Sequence, residues 1–217
     1  GRLRTQVGAF WNDYQDFQLD ALNPGSGQVE TMNIANAKVR GIEAQVQARI
    51  ARWGLDAGVA LVDSELSHVE FVNQRALPPG TNLPQCPQGV PPGDPPTCFD
   101  YGPYLTSATG RRLLYSPRLT FNAGIEYSID LGPATLRPRL NYAYIGSQYT
   151  NLLYSPVTDR LASRGILSAQ LTWERDDWRV EAFGTNLTDK TYVAGQFGNN
   201  ESYGSPREYG VRLTKQF

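Results

Sequence analysis

Few side chains in this sequence are of the kinds that do covalent or metal chemistry. There is one histidine, His68, and there are two cysteines, Cys86 and Cys98, in 217 residues. An imidazole can act as a base, but no serine or cysteine stands in an interpretable nucleophile motif, so His68 reads as a polar loop residue. Two thiols with no histidine nearby supply too few ligands for zinc. In an oxidising compartment they pair instead, and closing a loop of about a dozen residues contributes roughly 3 kcal/mol. The carboxylates of "SELSHVE" and "DDW" read as solvated loop and turn charges. No glycine loop with its lysine is present to cradle a phosphate. Catalysis, a bound cofactor and a metal site are therefore not expected.

Composition narrows the remaining choices. A balance of 20 basic against 21 acidic residues argues against a nucleic-acid partner. No run of 18 or more apolar residues occurs, which excludes a membrane helix. No basic start leads into an apolar stretch and cleavage site. Twelve Tyr, eight Phe and four Trp beside 21 Gly and one Met suit a β-rich protein.

The elements that must position any binding residue are strands, read by parity. Leu3, Val7, Ala9 and Trp11 oppose Arg4, Gln6, Gly8 and Asn12, with Phe10 breaking the pattern. Ile42, Ala44, Val46, Ala48 and Ile50 alternate with Glu43, Gln45, Gln47 and Arg49. Leu55, Ala57, Val59 and Leu61 face away from Asp56, Gly58 and Ala60. Leu119, Phe121, Ala123, Ile125 and Tyr127 oppose Arg118, Thr120, Asn122, Gly124 and Glu126. Leu136, Leu140, Tyr142 and Tyr144 oppose Arg137, Arg139, Asn141 and Ala143, and Pro138 is tolerable only at an edge or bulge. The last strand places Tyr209, Val211, Leu213 and Phe217 on one parity and Glu208, Gly210, Arg212, Thr214 and Gln216 on the other. In all, about eight strands are expected.

Short turns near Arg52, Leu131 and Asp177 alternate with longer connections. The longest spans roughly Ser67 to Gly110, where prolines and glycines oppose both helix and central strand. A sandwich or soluble barrel would also alternate. Sorting of connections by length, strands of more than about ten residues, and aromatic residues near strand ends favour a transmembrane β-barrel. Trp53, Trp173 and Trp178 flank the short turns, and Trp11, Tyr14, Tyr144 and Tyr149 lie toward the other ends. A self-contained small barrel with a structural or adhesive role stays open as an alternative.

The closing stretch "FGTNLTDKTYVAGQFGNNESYGSPREYGVRLTKQF" resembles the end of the TonB-dependent outer-membrane receptors. Their last hairpin commonly reads N-L-[TF]-D-[KR]-x-Y, then G-x-P-R before a terminal strand ending in Phe. "VGAFWNDYQDFQ", "NIANAKVRGIEAQVQARI" and "GLDAGVALVDSEL" are similar to paired strands upstream in the same barrels. Lys215 departs from the pattern, at a position where the terminal assembly signal prefers an apolar residue; it can snorkel at the membrane edge.

The resemblance implies an all-β, antiparallel barrel of about 22 strands with a plugged lumen, of which residues 1–217 supply the last eight or so. A large extracellular loop is expected at about 67–112, and the plug domain is expected outside this stretch. Unpaired sheet edges are costly in lipid, so the remaining barrel strands and plug of the same receptor become partners. The TonB complex, the barrel assembly machinery, outer-membrane lipid and a small-molecule substrate complete the implied set. The substrate would be a ferric siderophore, a corrinoid or an oligosaccharide. Ligand-contact candidates are Phe99, Tyr101, Tyr104 and Tyr154, because flat rings capture such ligands with little entropy cost. Arg118, Arg137 and Arg139 would face the lumen, where pairing with the plug or with one another is the expected role. Tyr209, Val211, Leu213 and Phe217 would form the assembly signal.

Overall fold

The computed structural model describes residues 2–198 and 200–216, with the backbone alone at position 34. Phe217 therefore lies outside the described residues. Among the described residues fifteen strands follow one another: β1 (Arg2–Asn23), β2 (Gln28–Ile50), β3 (Trp53–Ser67), β4 (Glu70–Val72), β5 (Leu105–Ser107), β6 (Leu119–Tyr127), β7 (Ile129–Leu131), β8 (Ala134–Ile145), β9 (Gln148–Tyr149), β10 (Arg160–Leu161), β11 (Arg164–Arg175), β12 (Trp178–Thr185), β13 (Val193–Phe197), β14 (Asn200–Tyr203) and β15 (Glu208–Lys215). The main sheet has the order β1-β2-β3-β6-β8-β11-β12-β15, with β7 paired to β8. Eight strands lie on that path, as alternation alone predicts. The chain forms two compact units, residues 1–10, 41–62 and 114–217 in one and residues 11–40 and 63–113 in the other.

In the first unit, parity sorts the side chains along β3, β6, β8, β11, β12 and β15. The register places Leu55 opposite Ile125, Ile125 opposite Leu140, and Ala182 opposite Val211 on one face. Asp56 opposite Gly124, Glu126 opposite Arg139, and Glu181 opposite Arg212 lie on the other. Leu3, Val7, Leu55, Ile125, Leu140, Leu171, Val211 and Leu213 are all exposed. So continuous an apolar surface exceeds what a water-soluble monomer normally shows. The tight turns contain Ala51, Gly132 and Asp176 at φ 53°, 71° and 49°. Glycine adopts this left-handed conformation freely, and aspartate tolerates it.

Glycines also accept aromatic rings across the sheet. A Cβ at Gly41 would lie 2.6 Å from the Leu61 carbonyl oxygen and run into the ring of Phe10. This accounts for Phe10 on the polar parity of β1: its ring covers the gap that Gly41 leaves on β2. Phe183 covers Gly210 and Tyr209 covers Gly184 in the same way. Pro138 sits where the β6 ladder ends at Glu126↔Arg139 and the β7 ladder begins at Ile129↔Leu136, so its missing donor falls near a break.

The second unit contains the long loop. Its prolines do not exclude all strand and helix: β4 and β5 pair antiparallel at its base, and Gln74–Ala76 and Gly102–Tyr104 form single 3-10 turns. β4, β5 and Gln74–Ala76 lie outside the proline-dense stretch, where the missing donors and fixed φ angles leave no ladder, while Pro103 stands in the first turn of Gly102–Tyr104, where its missing donor is not needed. Leu22, Val72 and Tyr101 form a small core, with Leu77, Phe99 and Tyr104 packed against it.

Candidate functional site

On the polar face of the first unit, cross-strand neighbours assemble a charged wall near the short turns. Arg139 on β8 reaches across β6 to Asp56 on β3, 2.5 Å away, and its Nε donates to Asn141 Oδ1 at 3.0 Å. Gly124 on the intervening strand makes this bridge possible, since a Cβ there would meet Arg139, Asp56 and Asn141 together. Arg49 pairs with Glu126 at 3.2 Å, and Arg137 pairs with Glu174.

Further along, Glu181 on β12 accepts from Arg179 at 3.0 Å, from Arg212 at 3.1 Å and from Gln170 Nε2 at 2.7 Å. A carboxylate can take this many donors because it carries about four lone-pair sites. Arg49, Glu126, Arg137, Arg139, Gln170, Thr172 and Arg179 enclose a polar recess of about 260 Å³. The arrangement is an ion-pair lattice. It contains no nucleophile poised beside a base.

The motif at the end of β12 folds as a clasp. Asn186 is buried with φ 47°; its Nδ2 donates to the Lys190 and Ser205 carbonyls at 2.9 and 3.1 Å, and its Oδ1 accepts from the Lys190 amide at 2.9 Å. Asp189, also at positive φ, pairs with Arg207 at 3.5 Å. The "NLTDK" and "GSPR" segments are thereby joined just before β15. At the far end of the last strand Lys215 stands over the Trp178 ring, 5.0 Å from its centroid, which gives the cation a π-face.

In the second unit Cys86 and Cys98 form a disulfide across a separation of 12 residues. The flanking chains are drawn together by the Cys86 amide, which donates to the Phe99 carbonyl at 3.0 Å, and the Phe99 amide, which donates to Pro84 at 2.9 Å. Tyr101 is 1% exposed; its hydroxyl donates to the Leu83 carbonyl at 2.8 Å, and its amide donates to Gln85 Oε1 at 3.0 Å. Burial raises its phenol above the usual tyrosine range. Phe99 stacks edge-on against Tyr101 at 5.0 Å and lies 5.5 Å from Tyr104. The segment from Pro87 to Thr97 is exposed throughout.

The ligand-contact candidates thus occupy distinct settings. Tyr101 is the hub of the loop core, while Phe99 and Tyr104 are half-buried around it. Tyr154 belongs to the first unit, is buried, and packs 5.1 Å from Tyr149. Of the three arginines, Arg137 and Arg139 join the charged wall, whereas Arg118 precedes β6 and is exposed, its carbonyl accepting from Val62 at 2.9 Å. Tyr209, Val211 and Leu213 project from the exposed apolar face of β15. His68 has φ 57° at the end of β3, a turn position. The roles of Asp56, Glu174, Arg179, Glu181 and Arg212 escape a reading by single residues. The parity rule that placed Glu126 and Arg139 on one face would have gathered them too.

No curated protein sequence matches this chain. The family model described as TonB dependent receptor-like, beta-barrel, matches residues 1–187. Among solved structures, the ferric yersiniabactin uptake receptor FyuA from Yersinia pestis is similar at 18% identity and a TM-score of 0.70, over 99% of this chain and 28% of that one. The siderophore receptor PiuA from Acinetobacter baumannii shares 17% identity at a TM-score of 0.65, over 97% of this chain and 25% of that one. The ferric-catecholate import receptor Fiu from K12 E. coli shares 18% at 0.62, over 98% of this chain and 25% of that one. This chain spans about a quarter of the length of each of these structures. The fold, the two-faced strands and the family match agree: the chain belongs to the TonB-dependent receptor-like β-barrel family, whose members are outer-membrane receptors and transporters and not enzymes.

Proposed function

We propose that this chain is the C-terminal barrel part of an outer-membrane receptor that imports a scarce nutrient, with energy coupled from the inner membrane through TonB. The observation that carries the reading is the uncovered apolar parity shared by β1, β3, β6, β8, β11 and β15. Lipid is the solvent that suits such a face, while the opposite parity holds charges that belong in a polar lumen. The remaining strands and the plug belong to the same receptor, and the barrel assembly machinery inserts it. The substrate class is a ferric chelate, a choice supported by the three receptors named above.

Recognition falls to the 67–112 loop, taken as extracellular. Its disulfide and Tyr101 core hold the exposed 87–97 tip in place, which lowers the ordering cost of contact. Phe99 and Tyr104 supply half-buried rings beside that tip, and Tyr154 supports a separate connection. The test uses iron-starved cells carrying the full-length receptor as their sole route for a labelled ferric siderophore. Uptake is expected to stop with a protonophore, and binding is expected to weaken when Gln85 to Phe99 are deleted while heat-modifiable barrel persists. Uptake that ignores the protonophore overturns the coupling. Binding that survives the deletion overturns the loop assignment.

A further inference from the structure

On the polar parity of the first unit, Arg49, Arg137, Arg139, Arg179 and Arg212 each pair with a carboxylate. Arg164 does not. It opens β11, at the end opposite the Asp176 turn, and shares the parity of Gln170 and Thr172. Among the described residues no carboxylate pairs with it, and its Nη1 is buried without a hydrogen bond. A guanidinium only donates, and a buried N–H left without an acceptor is costly. An acceptor brought to this position recovers that cost.

The surroundings orient the guanidinium and define what fits it. Its Cζ stands 5.0 Å from the centroid of the Tyr192 ring, a cation–π contact that holds the group without neutralising it. Tyr192 is itself fixed: its carbonyl accepts from the Gly204 amide at 2.9 Å, and its ring lies across Gly204, where a Cβ would collide with it. The register sets Arg164 opposite Ile145, and the next residue of the same parity on β11 is Ile166. One unopposed cation among apolar neighbours and a ring suits one negative charge carried on an apolar body. A carboxylate meets that description, and its two oxygens match the fork of donors. A phosphate dianion would bring a second charge that the single guanidinium leaves unmatched.

We propose that Arg164, oriented by Tyr192, binds a free carboxylate on the imported chelate, so that the receptor favours a chelate with one uncoordinated carboxylate over its uncharged counterpart. The inference rests on the reading of this chain as part of an importer of ferric chelates. Arg164 touches the substrate, and Tyr192 is a positioning residue that acts through it. The site lies at the end of the polar face away from the short turns, where a ligand arriving from outside the cell comes first. The loop tip between Cys86 and Cys98 has no lysine or arginine, so an anionic group finds no cation there.

The test uses the full-length receptor in detergent and two kinds of probe, a ferric tris-hydroxamate and a ferric tris-catecholate, each prepared with one pendant carboxylate and as the matching methyl ester. Binding is read by quenching of tryptophan fluorescence. The acid form of one chelate is expected to bind roughly ten- to hundredfold tighter than its ester, the worth of a charge-assisted hydrogen-bonded pair. Arg164→Gln should abolish that difference and leave ester affinity unchanged. Arg164→Lys should keep part of it, since a point charge remains without the fork, and Tyr192→Leu should reduce it severalfold. Heat-modifiable mobility is read in parallel; if Arg164→Gln fails to assemble, Tyr192→Leu decides by the same comparison of acid with ester. Equal affinities for acid and ester in the unsubstituted receptor, no binding of either included, overturn the proposal. So does a preference that survives Arg164→Gln, or a loss of acid and ester binding by the same factor. In those cases uptake of a labelled ferric siderophore that stops with a protonophore leaves the importer reading standing, whereas uptake indifferent to the protonophore overturns that reading as well.

Discussion

Replacing Asn186 separates the two things that hold the clasp before the terminal strand. The side chain makes three hydrogen bonds to backbone groups, two to Lys190 and one to Ser205, and the residue is buried at φ 47°. At about 1 kcal/mol net for each bond, losing all three is expected to cost about 3 kcal/mol in either variant. Asn186→Ala keeps a Cβ in the left-handed region, as asparagine does, whereas Asn186→Gly removes it, an excess cost for alanine over glycine of about 1–2 kcal/mol. Part of that excess is offset by about 0.5–1 kcal/mol because glycine loses more chain entropy on folding. Alanine should therefore be the worse variant, by up to roughly 1 kcal/mol. Urea titration of the full-length receptor refolded in detergent, followed by heat-modifiable mobility, measures both. An alanine variant within about 0.5 kcal/mol of the parent, or a glycine variant clearly less stable than alanine, would refute the reasoning. In cells the same loss should reduce assembled receptor, because Ser205 lies three residues before β15 and fixes its entry.

Three further outcomes follow from the geometry. Replacing Cys86 and Cys98 with serine should free the tip at a cost of roughly 3 kcal/mol to the loop, seen as faster proteolysis within Pro87–Thr97 in intact cells and unchanged cleavage elsewhere. Tyr101 has a raised phenol, so its native state holds a proton that the unfolded chain releases near the ordinary value of 10. Its contribution to the loop is full below that pH and is lost as pH rises through the higher folded value, so loop proteolysis should accelerate only in strongly alkaline buffer and Tyr101→Phe should remove that dependence. Gly41→Val should destabilise by roughly 1–3 kcal/mol through displacement of the Phe10 ring, and a Phe10→Ala partner substitution should recover part of the loss in the same urea titration.

Much of the fold was legible because a strand with different surroundings on its two faces writes that difference into every second residue. Ile42 to Ile50 and Leu119 to Tyr127 carry the signal without interruption, and the register pairs Leu119 to Tyr127 with β3 and β8 as the parity requires. Phe10 broke the pattern because its reason lies on another strand, at Gly41, which no reading along one segment can supply. The same holds for the charged wall. Arg139 and Asp56 are 83 residues apart and meet only because Gly124 leaves the strand between them bare. Strand pairing inside the long loop is not legible in the sequence because β4 and β5 are three residues each, too short for alternation to declare them. The disulfide was legible from local composition, whereas the burial of Tyr101 depends on Leu22 and Val72, contributed from β1 and β4.

The central claim, that one parity of this sheet meets lipid and the other a polar interior, is tested most directly on β6. Spin labels placed singly at positions 119 to 127 of the full-length receptor in membranes report collision with dissolved oxygen and with a water-soluble nickel chelate. The account predicts oxygen accessibility that alternates with a period of two, high at Leu119, Phe121, Ala123, Ile125 and Tyr127 and low at Thr120, Asn122, Gly124 and Glu126. Equal access of the nickel chelate to both parities, or an inverted alternation, would contradict it.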